Sequence, residues 1–246
     1  MFLYTLVLRL IHFFLSIKVW FSSWSRWLRT RHFHGVKPGN VEDDKRHLNK
    51  LPLHIAFQLK EENIEYEDVA SMVVWSAALG ISYITVFDGE GELKRNQQQL
   101  LSTIDRRKVE LLGSDYSTRV KISLSMLPVQ SAKTTSVSHL RLASLEDGRS
   151  AVISCARHVC ASVAKQQMSA TQMDVSSVHN IISGGVDVPD PNLLVSCGPT
   201  HSLFGFLPWQ IRLTEILTLP SHRNVKYGQL LHLLHVYAGT EQRLGV

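Results

Sequence analysis

The sequence is poor in cysteine, with three residues in 246. The number is odd and no pair has Cys-x-x-Cys spacing, which excludes a disulfide-rich scaffold and the common paired-thiolate zinc sites. We therefore expect Cys155, Cys160 and Cys197 to be buried free thiols in a reducing compartment.

Several catalytic and binding motifs are also missing. The chain has no nucleophile elbow, no P-loop, no dinucleotide fingerprint and no internal repeat. His232 and His235 are three residues apart, but no third metal ligand accompanies them. We therefore expect them to be packing or surface histidines, and we predict no metal site.

Positive charge is concentrated at the N-terminal end. The net charge is +5, and the six cations that precede Glu42, the first carboxylate, leave the rest of the chain close to neutral. A nucleic-acid-binding fold would spread its cations over the folded part, so no nucleic-acid partner is expected. The six cations are Arg9, Lys18, Arg26, Arg29, Arg31 and Lys37.

Residues 1–34 are predicted to attach the protein to a membrane. Apolar residues dominate positions 2–28, which is long enough to span a bilayer, and tryptophans and cations follow. By the positive-inside rule the remaining chain is cytosolic. A helix lying in the membrane interface stays an alternative, because Arg9 and Lys18 interrupt the run and a cation near the bilayer centre costs ~2.5–3.5 kcal/mol.

The rest of the chain is predicted to form one α/β domain. Hydrophobic residues make up 44% and charged residues 19%, which is typical of a globular protein. Alternating strand and helix patterns predict a mostly parallel central sheet of about six strands covered by helices. The predicted strands are 53–59, 81–87, 120–125, 140–145, 193–196 and 216–219. Helices are predicted over 93–112 and over 175–182, the second with Asp174 as its N-cap, and a helical turn over 209–213.

Polar segments set the predicted boundaries of this domain. Residues 35–50 contain Gly, Pro and many charges and are interpreted as a linker, so the domain covers 51–246. Within it, residues 128–138 are predicted to be a mobile loop and residues 239–246 a C-terminal tail.

The stretch 190–222 resembles the last signature region of cis-prenyltransferases. In that family a D-P-D-L strand leads through a phosphate-binding loop to an N-F-L-x-W-Q helix and a Y-[ST]-E-[IL] strand. Residues 51–59 resemble the family's first strand and 75–88 its second helix and strand, so the resemblance covers about residues 50–246. It is strongest to the Nogo-B receptor type of subunit. The matching signature residues are Asp190, Pro191, Leu193, Phe206, Leu207, Trp209, Gln210, Thr214, Glu215 and Ile216.

Two departures from the family pattern imply that this chain has no active site of its own. Active members carry D-G-N-R-R-W after the first strand, whose Asp acts with Mg²⁺, whereas residues 58–68 here read QLKEENIEYED. Their carboxylates are expected to repel a diphosphate. Active members carry R-T-S-G-E-x-R in the late loop, whereas residues 196–202 read SCGPTHS and lack both arginine forks.

The resemblance also implies two ways in which the chain serves a partner. Arg243, Leu244 and Gly245 match an R-x-G element that the family passes across its dimer interface, so they are expected to bind isopentenyl diphosphate in the partner's site. The residues expected to face the partner are Phe206, Leu207, Trp209, Ile211 and Leu213.

The function implied by the resemblance is that of a non-catalytic, activating subunit of a heteromeric cis-prenyltransferase. Such a dehydrodolichyl diphosphate synthase complex makes long-chain polyprenyl diphosphate for dolichol and protein glycosylation. The catalytic partner would hold Mg²⁺, and the assembly would lie at the endoplasmic reticulum membrane with its main domain cytosolic. Two alternatives stay open: a membrane receptor or scaffold with a degenerate prenyltransferase fold, and an active homodimer using unusual ligands.

Overall fold

A computed structural model gives the structure of the chain and describes residues 41–124, 137–185, 188–200 and 202–241. The predicted membrane segment 1–34, nearly all of the predicted loop 128–138, and Arg243, Leu244 and Gly245 lie outside these residues. Within the described ranges, no helix combines the length and the apolar character needed to cross a membrane.

Strands and helices alternate along the described chain. The strands are β1 (His54–Leu59), β2 (Tyr83–Asp88), β3 (Lys121–Leu124), β4 (Val137–Ala143), β5 (Leu193–Cys197) and β6 (Glu215–Leu219). The α-helices are α1 (Val41–His47), α2 (Tyr66–Ala78), α3 (Glu92–Arg95), α4 (Gln97–Ser117), α5 (Arg149–Ala164), α6 (Val175–Ile182) and α7 (Tyr227–Ala238). Short 3₁₀ turns occur at Leu145–Asp147 and Ala170–Gln172.

The six strands form one parallel sheet in the order β3-β4-β2-β1-β5-β6, which confirms the predicted fold class. All six residues of β1 are buried, because the strand is central and both sheet faces are covered. Strands β2, β4 and β3 lie on one side of β1, and strands β5 and β6 lie on the other side. The direction in which strands are added to the sheet therefore reverses between β1 and β5. In sheets of this kind ligands bind beyond the carboxyl ends of the strands at such a point.

Side chains on the two faces of the sheet belong to two hydrophobic cores. Phe57 points into the larger core, which α2, α4 and α7 cover with residues such as Met72 and Leu234. Ala56, its neighbour in β1, points into a smaller core that includes Phe87. The alternation follows from the period of two that a strand imposes on its side chains.

The predicted linker 35–50 differs most from the observed fold. Residues 41–47 form α1, and both Val41 and Leu48 are buried in the larger core. The second half of the segment is therefore part of the domain and not a tether. Its helix has only a narrow apolar stripe, which the polar composition of the segment hides.

Three further sequence interpretations need correction. The predicted helix over 93–112 is divided into α3 and α4, and α4 itself is interrupted at Gly113, where φ is +77°. The helical turn expected over 209–213 is an irregular turn without helix. Cys160 is exposed on α5, whereas Cys155 and Cys197 are buried free thiols as expected.

The predicted N-cap of α6 is confirmed. The carboxylate of Asp174 accepts a hydrogen bond from the backbone N–H of Ser177 at 2.7 Å, which satisfies one of the free donors of the first turn.

Candidate functional site at the carboxyl ends of the central strands

Lys60 occupies the gap beyond the carboxyl ends of β1 and β5. Its ammonium group donates a hydrogen bond to the carbonyl oxygen of Thr200, and its Nζ lies 5.9 Å from the centroid of the Phe204 ring. Burial lowers the pKa of Lys60. Gly198 allows the close approach, because its φ is +129° and a Cβ there would lie 2.9 Å from the Cβ of Lys60. At the edge where related sheets bind ligands, this chain thus places a lysine that is bonded to its own late loop.

A network of hydrogen bonds, which we call the clasp, joins residues 61–68 after β1 to residues 221–224 after β6. The Glu61 carboxylate accepts from the Ser221 hydroxyl at 2.8 and 2.9 Å and from the His222 backbone N–H at 3.0 Å. The ring Nδ1 of His222 lies 2.5 Å from Oε2 of Glu61, although it is poorly aligned for a hydrogen bond. Glu61 is therefore committed to holding a loop.

The His222 ring also receives a bond on its other nitrogen. The backbone N–H of Glu65 donates to Nε2 of His222 at 3.1 Å. Because an accepting nitrogen carries no proton, the neutral ring has its proton on Nδ1, facing Glu61. His222 is fully buried, so this arrangement fixes its tautomer and its orientation.

Two more bonds complete the clasp. The guanidinium group of Arg223 donates to the carbonyl oxygen of Asn63 at 2.9 Å. The backbone N–H of Asn224 donates to Oδ2 of Asp68 at 2.7 Å, and Asn224 has a positive φ of 54°, which asparagine tolerates better than most residues. Asp68, in the first turn of α2, is thus a half-buried acceptor for the segment after β6.

Most carboxylates of the acidic segment after β1 are paired within the chain, which the sequence did not suggest. Glu61 and Asp68 are engaged in the clasp, and Glu67 pairs with Arg106 and Arg107 of α4. Much of the negative charge is therefore balanced or hydrogen-bonded within the chain. The expected repulsion of a diphosphate is correspondingly weaker, and the hydrogen-bonding capacity of Lys60, Glu61 and Asp68 is used within the chain.

The first two residues of the late loop, Ser196 and Cys197, are buried. The Ser196 hydroxyl is buried and donates to the side-chain oxygen of Gln58 at 3.2 Å, while the Gln58 amide donates to the carbonyl oxygen of Leu203. Burial raises the pKa of the Cys197 thiol to about 12, so this thiol is inert. Among the described residues of this loop, 196–200 and 202–205, no arginine is present to bind a phosphate.

The stretch expected to face a partner divides between the core and the surface. Phe206 and Leu207 are buried in the smaller core, with the Phe206 ring edge-on to Phe87 at 5.2 Å. Their packing against this chain's own sheet corrects the expectation that they face a partner. Trp209 and Ile211 are half-buried and Leu213 is 62% exposed, so a partner-facing role for these three stays a prediction.

A close contact between two glycines holds this stretch against the rest of the domain. A Cβ at Gly148 would lie 2.3 Å from the carbonyl oxygen of Gly205, so only glycine fits at 148. The contact fixes the start of the segment that carries Phe206 and Leu213. Nearby, Phe204 and Ile216 are exposed apolar side chains, as is typical of a surface that another protein covers.

The residues present do not fit the magnesium ion that the family resemblance implies. In the described ranges, no group of three His, Cys, Asp or Glu side chains is placed to hold a metal ion. His232 and His235 are both exposed on α7. The carboxylates of Glu61 and Asp68, which follow β1, are already hydrogen-bonded within the clasp.

Comparisons with known proteins identify relatives of this chain. No family model matches it. It is 41% identical over 204 residues to the mouse protein "dehydrodolichyl diphosphate synthase complex subunit Nus1", covering 82% of this chain and 68% of the relative. It is also 41% identical over 208 residues to the human protein of that name, covering 82% and 69%.

Solved structures share the fold. Lavandulyl diphosphate synthase from Lavandula x intermedia, in complex with dimethylallyl diphosphate, superposes with a TM-score of 0.55 at 18% sequence identity. The match covers 78% of this chain and 97% of that enzyme. At this level of identity the likeness establishes a common architecture only.

Proposed function

Because this chain belongs to the family of NUS1 subunits of the dehydrodolichyl diphosphate synthase complex, we propose that it is a non-catalytic, activating subunit of a heteromeric cis-prenyltransferase. The complex would make long-chain polyprenyl diphosphate for dolichol and protein glycosylation at the endoplasmic reticulum membrane. The N-terminal segment 1–34 would attach it to the membrane, with the α/β domain on the cytosolic side.

The observation that carries the proposal is that the side chains following β1 are bonded to other parts of this chain. Lys60 is bonded to Thr200, and Glu61 and Asp68 are bonded to the segment after β6. Diphosphate transfer depends on cationic groups and metal ions that stabilise the departing charge, and the described site offers neither in a free state. Turnover must therefore take place on a partner subunit, which would hold Mg²⁺ to neutralise the substrate diphosphates.

The C-terminal tail is the part of this chain that would reach the reaction. The Arg243 guanidinium is suited to paired hydrogen bonds with phosphate oxygens, and Gly245 lets backbone N–H groups approach them closely. We infer that Arg243, Leu244 and Gly245 bind isopentenyl diphosphate in the partner's site. Trp209, Ile211 and Leu213 would contribute to the interface that brings the tail there.

The test compares the purified chain with the same chain co-purified with a catalytic cis-prenyltransferase subunit. Farnesyl and isopentenyl diphosphates are supplied with Mg²⁺, and chain elongation is measured. We expect no product from the chain alone and sustained elongation by the pair. Elongation by the contaminant-free chain alone would refute the proposal in favour of an active homodimer.

A second arm tests the tail within the pair. Arg243→Ala removes a charged hydrogen bond to a diphosphate, so kcat/KM for isopentenyl diphosphate should fall ~10–100-fold. Arg119→Ala, at an exposed position after α4, is the matched control and should leave the rate unchanged. Unchanged turnover in Arg243→Ala would instead support a membrane receptor or scaffold that does not enter the catalytic site.

A further inference from the structure

Helix α1 and the segment after it contact both ends of α7. The hydroxyl of Tyr227, the first residue of α7, donates a hydrogen bond to Oδ2 of Asp44 at 2.8 Å. The ammonium group of Lys50 lies 4.7 Å from the centroid of the Tyr237 ring, in the last turn of α7. A ten-residue stretch, Val41 to Lys50, thus spans the length of the last helix.

These contacts are built into the core. Tyr227 is 3% exposed and Tyr237 is 1% exposed, and the Trp75 ring packs edge-on to Tyr227 at 5.8 Å. Val41 and Leu48 belong to the same core. Displacement of α1 would therefore disturb the packing of both tyrosines.

Burial along this stretch singles out the two polar residues that make the contacts. Asp44 and Lys50 are half-buried, whereas the other polar side chains from Glu42 to Asn49 are exposed. Burial and the bond to Asp44 raise the pKa of Tyr227, so its hydroxyl stays a donor. Exposed Asp43 and Lys45 provide matched controls on the same helix.

Helix α7 leads directly into the C-terminal tail. The Gly239 N–H donates to the carbonyl oxygens of His235 and Val236 at 3.2 Å each, and the Thr240 hydroxyl donates to the carbonyl oxygen of Tyr237 at 2.7 Å. Arg243 follows Tyr237 by six positions, so its Cα can lie at most about 20 Å from the Cα of Tyr237. The place where α7 ends thus sets the origin of the tail.

We propose that α1 is a brace that sets the position of the C-terminal tail, with Asp44 and Lys50 as positioning residues for isopentenyl diphosphate binding. The proposal rests on the function proposed above for Arg243 and Gly245. Asp44 anchors the start of α7 and Lys50 anchors its end, so the tail leaves the domain from a fixed point. Loss of either contact widens the range of tail positions and lowers the fraction that reaches the partner's site.

The experiment uses the full-length chain in complex with its catalytic partner and compares Lys50→Met and Asp44→Ala with the controls Lys45→Met and Asp43→Ala. We expect the two brace variants to raise KM for isopentenyl diphosphate about fivefold, as loss of one cation–π contact or hydrogen bond predicts. KM for farnesyl diphosphate should not change, because the tail does not bind it. Lys50→Arg should restore the low KM, since a guanidinium also binds an aromatic face.

A double-mutant cycle with Arg243→Ala separates positioning from general destabilisation. If Lys50 acts through the tail, Lys50→Met has no further effect on KM once Arg243 is absent. The brace proposal would be refuted if Lys50→Met raised KM for isopentenyl diphosphate equally in the Arg243→Ala background. It would also be refuted if Lys50→Met raised KM for farnesyl diphosphate in parallel.

The same data distinguish failure of the brace from failure of the proposed function. If Arg243→Ala raises KM for isopentenyl diphosphate and the two brace variants do not, only the brace is wrong. If Arg243→Ala also leaves KM unchanged in an active complex, the tail does not bind substrate and both proposals fall.

Discussion

At the scale of single residues, His54 joins three parts of the chain. Its Nδ1 donates to the carbonyl oxygen of Pro189 at 2.6 Å, and its Nε2 accepts from the Thr85 hydroxyl at 2.8 Å. The side chain of Asn192 accepts from the backbone N–H of His54 at 3.0 Å. Burial is the main reason that the pKa of His54 is lowered to about 4, and the imidazole is neutral in the folded protein at pH 7.

His54 should make stability depend on pH in the mildly acidic range. The unfolded chain binds a proton at His54 as the pH falls through about 6.5, whereas the folded chain does not until about 4. The contribution of neutral His54 to the free energy of unfolding is therefore fully present above the pKa of the unfolded chain and is lost as the pH falls below it. The loss between pH 7.5 and pH 5 should be about 2 kcal/mol.

Urea unfolding of the wild type and of His54→Gln at these two pH values measures the effect. The difference in free energy of unfolding between the two pH values should be about 2 kcal/mol smaller in His54→Gln. His235→Gln, at an exposed position on α7, should retain the wild-type difference. Equal pH dependence in wild type and His54→Gln would contradict the buried neutral imidazole.

At the scale of structural elements, the clasp holds the loop after β1 to the loop after β6. Burial acts to raise the pKa of Glu61, but the His222 N–H, the Ser221 hydroxyl and the His222 ring outweigh it, and the pKa ends below its ordinary value. A carboxylate with a lowered pKa stabilises the fold above its unfolded pKa. That stabilisation is lost as the pH falls through the lowered folded value.

Glu61→Gln should destabilise the domain by ~1–3 kcal/mol, because it removes a charge-assisted acceptor from two donors. Thermal or urea unfolding at neutral pH measures the loss, and hydrogen exchange should show faster exchange of the His222 and Asn224 amides. Glu62→Gln, at the exposed neighbouring position, is the control. If Glu61→Gln matched the control in both measurements, Glu61 would not hold the clasp.

The sequence predicts the repetitive elements better than it predicts the contacts between them. The β2 strand is evident because β-branched and aromatic residues follow one another, and the predicted bounds of β5 and β6 each miss one terminal residue. Helix α1 was missed because its core contacts come from only Val41 and Leu48. Its carboxylates in the first turn and cations in the last turn, which match the helix dipole, were the available signal.

No sequence pattern predicts the hydrogen bonds of the clasp. Its two segments are about 160 residues apart, and a hydrogen bond from a backbone N–H to a carboxylate leaves no periodic pattern. The sequence located the unusual residues after β1 through their departure from a family motif. Their actual partners, Ser221, His222 and Asn224, follow only from the folded structure.

At the scale of the whole molecule, the domain begins earlier than the sequence suggests. A chain that starts at Leu51 lacks the buried side chains of Val41 and Leu48, each of which contributes ~1.5–3 kcal/mol by leaving water. We expect it to be ~3–5 kcal/mol less stable than a chain that starts at Val41. Denaturant unfolding of the two truncated chains measures the difference, and equal midpoints would show that α1 is dispensable for folding.

The arrangement of the central sheet has a consequence for synthesis on the ribosome. The register pairs Ile55 of β1 with Leu193 of β5, which follows it by 138 positions. At a translation rate of ~5–20 residues per second, β1 has one unpaired edge for roughly 10–30 s before β5 emerges. Until then the free edge of a strand whose six residues all become buried is open to wrong pairing, and we expect the nascent chain to need protection by chaperones over that interval.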